Sequence, residues 1–358
     1  MANIELIEVF FIDDTKNQLH IHTNDELTMY KLYWTFENDV HTTNKEYLLT
    51  SNEKDLIFDF QYSKEKRTYF IFEYENASLL FSYRILPVDG LYNLRDIGGY
   101  KTSDGKRIKW GVGFRSDYLI QVQESSMEYI KNLKIKTIID YRSPDEIEQS
   151  PNKNIGENET FVCNPNASIA EMAGALQSGE SADGSREHMV DHARKQIANG
   201  IENGDENMVR QQLSFVSEPR AQEAFSKALS VLANESHAPS LQHCRGGKDR
   251  TGFGLMLLEG ILGVSENDMV YDYLLTRKAR EEKSKRYYEN FLKMAEGDIK
   301  VADYMFSLFD TKDIYIQASM KRIKNDYGSI CAYAKDVLHI DDEQIEVLKS
   351  IYLEDTEI

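Results

Sequence analysis

The stretch that decides the fold is HCRGGKDRTG, residues 243–252, in which five residues separate Cys244 from Arg250. The short run Ser240–His243 precedes the turn and predicts a strand. The apolar run Thr251–Leu262 follows and predicts a helix whose first turn lies at the end of the stretch. The sequence therefore predicts a strand, a glycine-containing turn and a helix in direct succession.

A turn of this kind can bind a phosphate group. Backbone N–H groups point inward at a strand-to-helix turn, and the helix N-terminus adds partial positive charge. Gly246 and Gly247 lack the Cβ atoms that would block these backbone angles and the close approach of a ligand. Arg250 can donate two N–H groups to two phosphate oxygens, and the same surroundings favour the thiolate form of Cys244. The stretch predicts an anion-binding loop that holds a nucleophilic sulfur.

The nucleotide-binding P-loop is a different motif that also contains a Gly-Lys pair, here Gly247-Lys248. It requires Ser or Thr directly after the lysine and a glycine five residues before the glycine of that pair. The chain has Asp249 and Gln242 at those positions. The sequence therefore does not favour a nucleotide-binding loop.

The composition limits the class of protein. The chain has 358 residues, 42 Lys and Arg against 60 Asp and Glu, and a net charge of −18. This acidic balance argues against a nucleic-acid-binding protein, which needs an excess of positive charge. The cysteines Cys163, Cys244 and Cys331 are too few and too scattered for a disulfide framework or a zinc site. We expect no metal and no cofactor.

Two further features bear on location. No stretch approaches the roughly 20 consecutive apolar residues that a membrane-spanning helix needs. The segment Met1–Phe11 carries Glu5 and Glu8 and lacks the basic leader and apolar block of a secretory signal. The sequence predicts a cytoplasmic protein, although a mature chain whose leader had been removed would look the same.

Residues 1–86 contain short β-rich runs separated by polar breaks. Apolar and polar residues alternate within Leu27–Phe36 and Thr68–Tyr74, and further runs occupy Asp55–Phe60 and Leu79–Leu86. This spacing predicts a small all-β sandwich domain of immunoglobulin or fibronectin type III character. Such a domain is a candidate docking surface for a protein partner, which the sequence does not identify.

Residues 87–358 alternate strand and helix patterns. Arg107–Phe114 and Thr137–Ile139 are strand candidates, and helical spacing covers Pro219–Asn234 and Tyr271–Met294. This succession predicts an α/β domain with a central, mostly parallel sheet flanked by helices.

One segment, residues 166–207, is rich in small and polar residues and contains weak helical patterns at Ile169–Leu176 and Arg186–Ala198. Because it precedes the anion-binding loop, it is a candidate helical lid over the site. A solvated helical excursion with no gating role explains the composition equally well, and both interpretations stay open.

The loop also resembles a known family. A Cys-x5-Arg motif followed by Thr resembles the signature of protein tyrosine phosphatases, and HCxxGKDRTG resembles their bacterial tyrosine- and lipid- (phosphoinositide) phosphatase branch. Four other segments fit that branch: residues 93–99 (NLRDIGG), 110–116 (WGVGFRS), 140–146 (DYRSPDE) and 327–330 (YGSI). The resemblance covers roughly residues 91–348 and implies the cysteine-phosphatase fold for residues 87–358.

The resemblance implies roles for four loop residues. Cys244 would be the nucleophile that forms a phosphocysteine intermediate, and Arg250 would bind the equatorial phosphate oxygens. Asp249 would be the general acid, in place of the acid that larger tyrosine phosphatases carry on a separate mobile loop. Thr251 would donate a hydrogen bond to the cysteine sulfur and ease its departure. The sequence contains no Trp-Pro-Asp segment that would supply another acid.

The remaining loop residues are expected to bind substrate. The resemblance links Lys248 to phosphoinositide recognition, and Gly246 and Gly247 complete the substrate-binding turn. Arg245 and Gly246 stand where relatives often have apolar or small residues. We expect Arg245 to favour substrates that carry more than one phosphate.

Two further residues are expected to support the loop. His243 precedes the nucleophile, and we expect it to hold the loop by a hydrogen bond or to tune the thiolate. Asp140 lies at the end of a predicted strand and has two interpretations of equal weight. It either pairs with Arg250 and orients it, or it caps the turn that follows.

The sequence predicts a cysteine-dependent phosphatase that hydrolyses phosphotyrosine in proteins, phosphoinositides, or both. One alternative is a non-catalytic phosphate-binding module that recruits partners, although intact Cys244, Arg250 and Asp249 favour an enzyme. A sulfur transferase that uses the same kind of anion loop is a second alternative. An arsenate reductase would need a resolving cysteine near Cys244, and none is adjacent in sequence.

Overall fold

The structure is a computed structural model that describes seven stretches of the chain. They are residues 8–11, 18–22, 29–60, 63–74, 77–167, 183–201 and 203–355. The predicted helix at Ile169–Leu176 lies outside the described residues, and so does part of the candidate lid around it.

The first seven strands form two antiparallel sheets. They are β1 (Glu8–Phe11), β2 (Gln18–His22), β3 (Tyr30–Thr35), β4 (Glu46–Ser51), β5 (Asp55–Asp59), β6 (Tyr69–Tyr74) and β7 (Ala77–Phe81). The strand orders are β1-β2-β5 and β4-β3-β6-β7. Tyr30 and Leu32 of β3 are buried and Lys31 between them is exposed, which explains the alternation in the sequence. Phe60 after β5 packs against Phe70 of β6, with ring centroids 5.3 Å apart, so the two sheets contact each other.

A mixed five-stranded sheet forms the centre of the remaining chain. Its strands are β8 (Arg95–Asp96), β10 (Gly113–Ser116), β11 (Thr137–Asp140), β12 (Glu159–Val162) and β13 (Ser240–His243), and β9 (Arg107–Ile108) lies outside it. The order is β12-β11-β13-β10-β8, with parallel pairing throughout except for the antiparallel edge strand β8. The middle strand β13 is buried along its whole length, as expected where both faces of a sheet are covered.

Helices cover this sheet and extend beyond it. They are α1 (Met127–Lys131), α2 (Pro144–Gln149), α3 (Asp183–Ala198), α4 (Asp205–Ser217), α5 (Pro219–Leu232), α6 (Asp249–Leu262), α7 (Glu266–Ala279), α8 (Glu281–Met294), α9 (Ile299–Ser307), α10 (Asp313–Tyr327), α11 (Ile330–Asp336) and α12 (Asp342–Tyr352). A last strand, β14 (Leu353–Glu354), pairs with β9 and brings this late segment back to the sheet region.

Two predicted elements are divided in the structure. The predicted strand Arg107–Phe114 is split into β9 and β10 at a turn in which Gly111 has a φ of 76°. The predicted helix Tyr271–Met294 is two helices, because the backbone leaves the helical conformation at Arg280, where φ is −109° and ψ is 13°. Neither break interrupts the hydrophobic pattern, and the second moves the Arg280 side chain towards the loop of residues 243–252.

Buried apolar side chains form two clusters on opposite faces of the central sheet. Ile139 of β11 belongs to one with the helices around α6, and its neighbour Ile138 belongs to the other. The second cluster also contains side chains of the N-terminal sheets, such as Phe70 and Phe81. A boundary between residues 86 and 87 stays a prediction, and this cluster of buried side chains crosses it.

Candidate active site

The loop of residues 243–252 lies at the carboxyl end of the middle strand β13 and leads into α6. Ligands of open α/β sheets bind at this edge. Cys244, directly after β13, is 3% exposed, and Asp249 begins α6. The predicted strand, turn and helix therefore occur in the expected order, although α6 begins two residues before the predicted Thr251.

The loop presents backbone N–H groups to a common interior. In the part of the chain that the structure describes, the amides of residues 245–248 donate no hydrogen bond. Asn93 Nδ2 donates to the carbonyl oxygens of Gly246 (3.1 Å) and Gly247 (2.9 Å), and Arg115 Nη2 also donates to Gly247 (2.8 Å). Each peptide plane sets its C=O opposite the next N–H. The amides of Gly247 and Lys248 therefore point away from Asn93 and Arg115. This is the geometry of an anion-binding cradle.

Gly247 is required by both conformation and space. Its φ is 62°, in the left-handed region that favours glycine. A Cβ at this position would lie 2.4 Å from the backbone oxygen of Ser116, closer than real Cβ contacts. Any side chain at Gly247 would therefore deform the cradle.

Arg250 is held by a carboxylate from α2. Its Nη1 and Nη2 donate to Glu146 Oε2 (2.5 Å) and Oε1 (2.9 Å), and Nη1 also donates to the Tyr141 carbonyl (3.2 Å). Burial disfavours the charged form of Glu146, but Arg250 outweighs that effect and lowers its pKa. Ser143 and Glu146 form a capping box at the start of α2, which fixes the position of the carboxylate.

Asp140 contacts residues other than Arg250. Its carboxylate accepts from Arg142 Nη2 (2.7 Å) and from the Arg142 backbone N–H (3.0 Å). Asp140 Oδ2 also lies 3.4 Å from Nε2 of His243, its neighbour in the β11–β13 register. The pairing of Asp140 with Arg250 is therefore not formed, because Glu146 takes that place. Asp140 instead joins the turn after β11 to His243.

His243 connects the base of the loop to this acid. Its Nδ1 lies 3.1 Å from the Cys244 carbonyl oxygen, and its Nε2 lies 3.0 Å from Asn152 Nδ2. Burial opposes ionisation of Asp140, but His243 and Arg142 hold the pKa of that carboxyl well below its usual range. Asp140 and Asn152 therefore anchor His243, the residue that precedes Cys244.

Lys248 and Asp249 contact each other beside the cradle. Lys248 Nζ donates to the carbonyl oxygens of Leu308 (3.0 Å) and Asp310 (2.9 Å) and lies 3.3 Å from Asp249 Oδ2. Burial lowers the pKa of Lys248, and Asp249 opposes that effect. Tyr273 Oη donates to Asp249 Oδ1 (3.1 Å). The lysine therefore joins the loop to the segment after α9.

The other predicted residues have distinct surroundings. Thr251 is fully buried in α6, and its hydroxyl has no hydrogen-bond partner among the described residues. Arg245 is also buried, with its guanidinium carbon 5.2 Å from the ring centre of Tyr118. Cys163 lies in the apolar core, where burial raises the pKa of its thiol to about 12, and Cys331 is half-buried.

Several residues that hold the site are not identified by the loop motif. Asp272 of α7 accepts from Arg95 Nε (3.2 Å) and from Arg115 Nη1, and Arg115 in turn binds the Gly247 carbonyl. Burial disfavours the charged form of Asp272, but Arg95 and Arg115 hold its pKa well below the usual range. Arg115 and Glu146 occur in segments that fit the resemblance. Asp272 has no such signal.

Two features are absent from the described residues. No helix among them is long and apolar enough to cross a membrane. Nor do they contain a group of three or more His, Cys, Asp or Glu side chains arranged to hold a metal ion.

Comparison with known proteins gives a consistent result. Residues 86–354, more than half of the chain, match the tyrosine phosphatase family. A Cupriavidus necator protein, provisionally named a tyrosine-protein phosphatase, is 26% identical over 261 residues, which cover 73% of this chain and 86% of that protein. The triple specificity protein phosphatase PtpB of Mycobacterium tuberculosis is 23% identical over 273 residues, covering 71% of this chain and 93% of that protein.

Proposed function

The chain belongs to the tyrosine phosphatase family, and we propose that it hydrolyses phosphotyrosine or phosphoinositide monoesters through a phosphocysteine on Cys244. The observation that carries this proposal is that Cys244 begins a loop whose amides at residues 245–248 have no acceptor among the described residues, and that Glu146 holds Arg250 at the end of this loop. The second relative is named a triple specificity phosphatase, which supports a wide range of phosphorylated substrates. Family membership makes the chain a phosphomonoesterase, so a purely recruiting module and a sulfur transferase are not retained.

The first step transfers the phosphoryl group to sulfur. The Cys244 thiolate attacks phosphorus, the S–P bond forms, and the ester P–O bond breaks on the opposite side. Asp249 donates its proton to the departing oxygen, so the alcohol or phenol leaves neutral. The loop amides and Arg250 bind the oxygens on which negative charge accumulates.

The second step releases phosphate. Water attacks the phosphocysteine, Asp249 takes the proton of that water, and the S–P bond breaks to restore the thiolate. The buried hydroxyl of Thr251, which has no partner in the described part of the chain, is assigned to stabilise the departing sulfur. No metal is required, because amides and a guanidinium neutralise the charge.

Arg250 binds phosphate through one edge of its guanidinium. Three of its five N–H groups donate to Glu146 and the Tyr141 carbonyl. The Nε edge faces away from Glu146 and is the edge we assign to the equatorial oxygens. Glu146 is therefore a positioning residue, as are His243 and Asp140 at the base of the loop.

Assignments outside this loop are also part of the proposal. We assign phosphatase chemistry to residues 87–358 and docking of a protein partner to the all-β part, residues 1–86. The Lys248 ammonium group already donates to two carbonyl oxygens and lies beside Asp249. We therefore assign Lys248 to substrate recognition through the position that it gives to Asp249. The candidate helical lid at residues 166–207 stays a prediction, and the described part of this segment includes α3.

Turnover of p-nitrophenyl phosphate in the presence of a chelator tests the proposal. The wild-type chain should release phosphate, and Cys244→Ser should lower kcat by roughly four or more orders of magnitude. Cys331→Ser is the matched control, because Cys331 is half-buried and lies outside the loop, and it should keep full activity. Turnover by the Cys244→Ser variant at the wild-type rate would disprove the proposal.

A further inference from the structure

We propose that Arg245, Arg280 and Lys283 form a second anion site, which binds a second phosphate group of the substrate beside the catalytic loop. This inference rests on the proposed function, because the first phosphate is the one bound in the loop. The three residues come from the loop, from the junction between α7 and α8, and from α8. We call this group the second anion site.

Arg245 supplies the first observation. It is 2% exposed, and its Nε and Nη2 atoms have no hydrogen-bond partner in the described ranges. Buried guanidinium nitrogens are normally hydrogen-bonded, so an unpartnered pair requires an explanation. The ring of Tyr118 lies against one side of the guanidinium, 5.2 Å from its central carbon, and cannot satisfy those nitrogens in their own plane. We assign an anion from outside the chain as the partner of these two nitrogens.

Arg280 reaches the same place from another element. Its Nη1 lies 3.1 Å from the position that a Cβ on Gly246 would take. Arg280 is 4% exposed, and its Nε has no hydrogen-bond partner among the residues described. The break between α7 and α8 occurs at this residue, so the backbone turns where the side chain must approach the loop. Gly246 leaves the space for that approach.

Lys283 completes the group. It is 6% exposed, and its Nζ makes no hydrogen bond within the described part of the chain. The ring centres of Tyr92 and Tyr118 lie 4.8 Å and 5.9 Å from Nζ. Burial lowers the pKa of Lys283 to about 8, and the positive charges of Arg280 and Arg245 add to the lowering while Asp117 opposes it. The two arginines are therefore close enough to repel the ammonium group.

The positive charge of the second anion site is only partly neutralised by the protein. Asp117 Oδ2 lies 3.8 Å from Lys283 Nζ, too far for a hydrogen bond, and Oδ1 accepts from the Asn93 backbone N–H (3.2 Å). Lys248, on the loop side of Arg280, has its own partner in Asp249. The three buried cations face Asp117 and, from Arg245, also Glu146, but both oxygens of Glu146 already accept from Arg250. Burying charges without partners is costly, and a second phosphate would remove that cost.

The position of the site selects a compact substrate. Arg245 follows Cys244 directly, and Arg280 lies against Gly246, so the second anion adjoins the first. Phosphates on neighbouring carbon atoms of one small ring fit such a distance. Two phosphorylated side chains on a peptide are joined by many rotatable bonds, so the peptide does not hold their phosphates at one short distance. We therefore assign the second anion site to a vicinal bisphosphate of a small polyol, either free or as a lipid headgroup.

Binding to the Cys244→Ser chain tests the site without turnover. The probes are an inositol bisphosphate with vicinal phosphates and the corresponding monophosphate, each titrated by calorimetry. Lys283→Met and Arg280→Met, each in this background, should lower the ratio of bisphosphate to monophosphate affinity about tenfold, which is about 1.4 kcal/mol. Lys285→Met is the matched control, since Lys285 is on the same helix, 60% exposed and paired with Glu281, and its ratio should stay within about twofold.

The outcomes separate the site from the catalytic proposal. An unchanged ratio in both Lys283→Met and Arg280→Met would overturn the second anion site, even if wild-type protein turns over p-nitrophenyl phosphate. A reduced ratio without any wild-type turnover would retain the site and overturn the proposed function. Lys283→Arg keeps the cation and should keep the ratio, which separates lost charge from misfolding.

Two further probes define the source of the ligand. If the protein recognises the phosphates alone, Lys283→Met and Arg280→Met should lower the affinity ratio equally for a dioctanoyl lipid with the same headgroup. If the variants lower the affinity ratio only for the free headgroup, the ligand is a free polyol phosphate. If they lower it only for the lipid, the ligand is a membrane lipid. A loss that appears only with a doubly phosphorylated peptide would overturn the assignment to a compact bisphosphate.

Discussion

The carboxylate of Glu146 accepts a hydrogen bond from each terminal nitrogen of Arg250, at 2.5 and 2.9 Å. Both side chains are buried, so the guanidinium has one orientation before any substrate arrives. Pre-orientation of this kind matters for catalysis because the charge that develops on phosphate must meet donors already in place.

Glu146→Gln should weaken this orientation. The variant keeps one acceptor but directs an NH2 group towards Arg250 and loses a charge-assisted bond. We expect kcat for p-nitrophenyl phosphate to fall roughly 10- to 100-fold, or about 1.4–2.7 kcal/mol, with a smaller change in KM. Glu148→Gln, on the exposed side of the same helix, should match wild type. Equal kcat values for Glu146→Gln and wild type would remove the positioning role.

Gly247→Ala should destroy the cradle. The new Cβ would meet the Ser116 carbonyl oxygen at 2.4 Å in a residue with positive φ. We expect activity to fall by roughly 100-fold or more, since loop amides that move by even 1 Å lose their catalytic position. Gly297→Ala is the control, because Gly297 also has positive φ but its Cβ would contact nothing within 4 Å. Similar activity in the two variants would contradict the account of the loop.

The order of strand, turn and helix around Cys244 can be predicted from the sequence because the motif is contiguous. A strand that ends at His243 and a helix that begins near Thr251 bring Cys244 and Arg250 together without any tertiary information. The sequence pattern does not show which carboxylate binds Arg250. Asp140 is the last residue of β11 and Glu146 lies beyond it in α2, and the register of β11 against β13 places Asp140 beside His243.

Other features of the site depend on distant parts of the chain. Asn93, just before β8, and Arg115 of β10 bind loop carbonyls, and only the order of the sheet brings these two segments near β13. The helix break at Arg280 has no glycine or proline to signal it, and the apolar pattern runs through it. A sequence pattern alone therefore predicts one long helix and misses the side chain that the break moves to the loop.

Asp249→Asn should affect leaving groups unequally. An asparagine cannot donate a proton, so hydrolysis of alkyl or weakly acidic aryl phosphates should slow by roughly 100-fold or more. Hydrolysis of p-nitrophenyl phosphate, whose leaving group needs little protonation, should slow much less. The measurement is kcat across a series of aryl phosphates. Equal slowing across the series would exclude Asp249 as the general acid.

Asp140→Asn should lower stability in a pH-dependent manner. The native contacts with His243 and Arg142 hold the pKa of Asp140 below its usual value, despite burial. The stabilisation is therefore complete above the unfolded pKa of about 3.9 and declines as the pH falls further. We expect the variant to lose about 3–5 kcal/mol of unfolding free energy at pH 7, as when one partner of a buried pair is removed.

Urea unfolding at several pH values checks this expectation. The difference between wild type and Asp140→Asn should shrink as the pH falls below about 4. A difference that is the same at every pH would mean that the charge of Asp140 does not contribute.

The central claim is that phosphate passes through the sulfur of Cys244, and trapping the intermediate tests it most directly. Wild-type protein is mixed with p-nitrophenyl phosphate, quenched within the first turnover and analysed by peptide mass spectrometry. We expect one phosphoryl group on the peptide that contains Cys244, and more of it in Asp249→Asn, because that variant cannot activate water for the second step. Product formation with no phosphoryl group on Cys244, or with the group on another residue, would contradict the account.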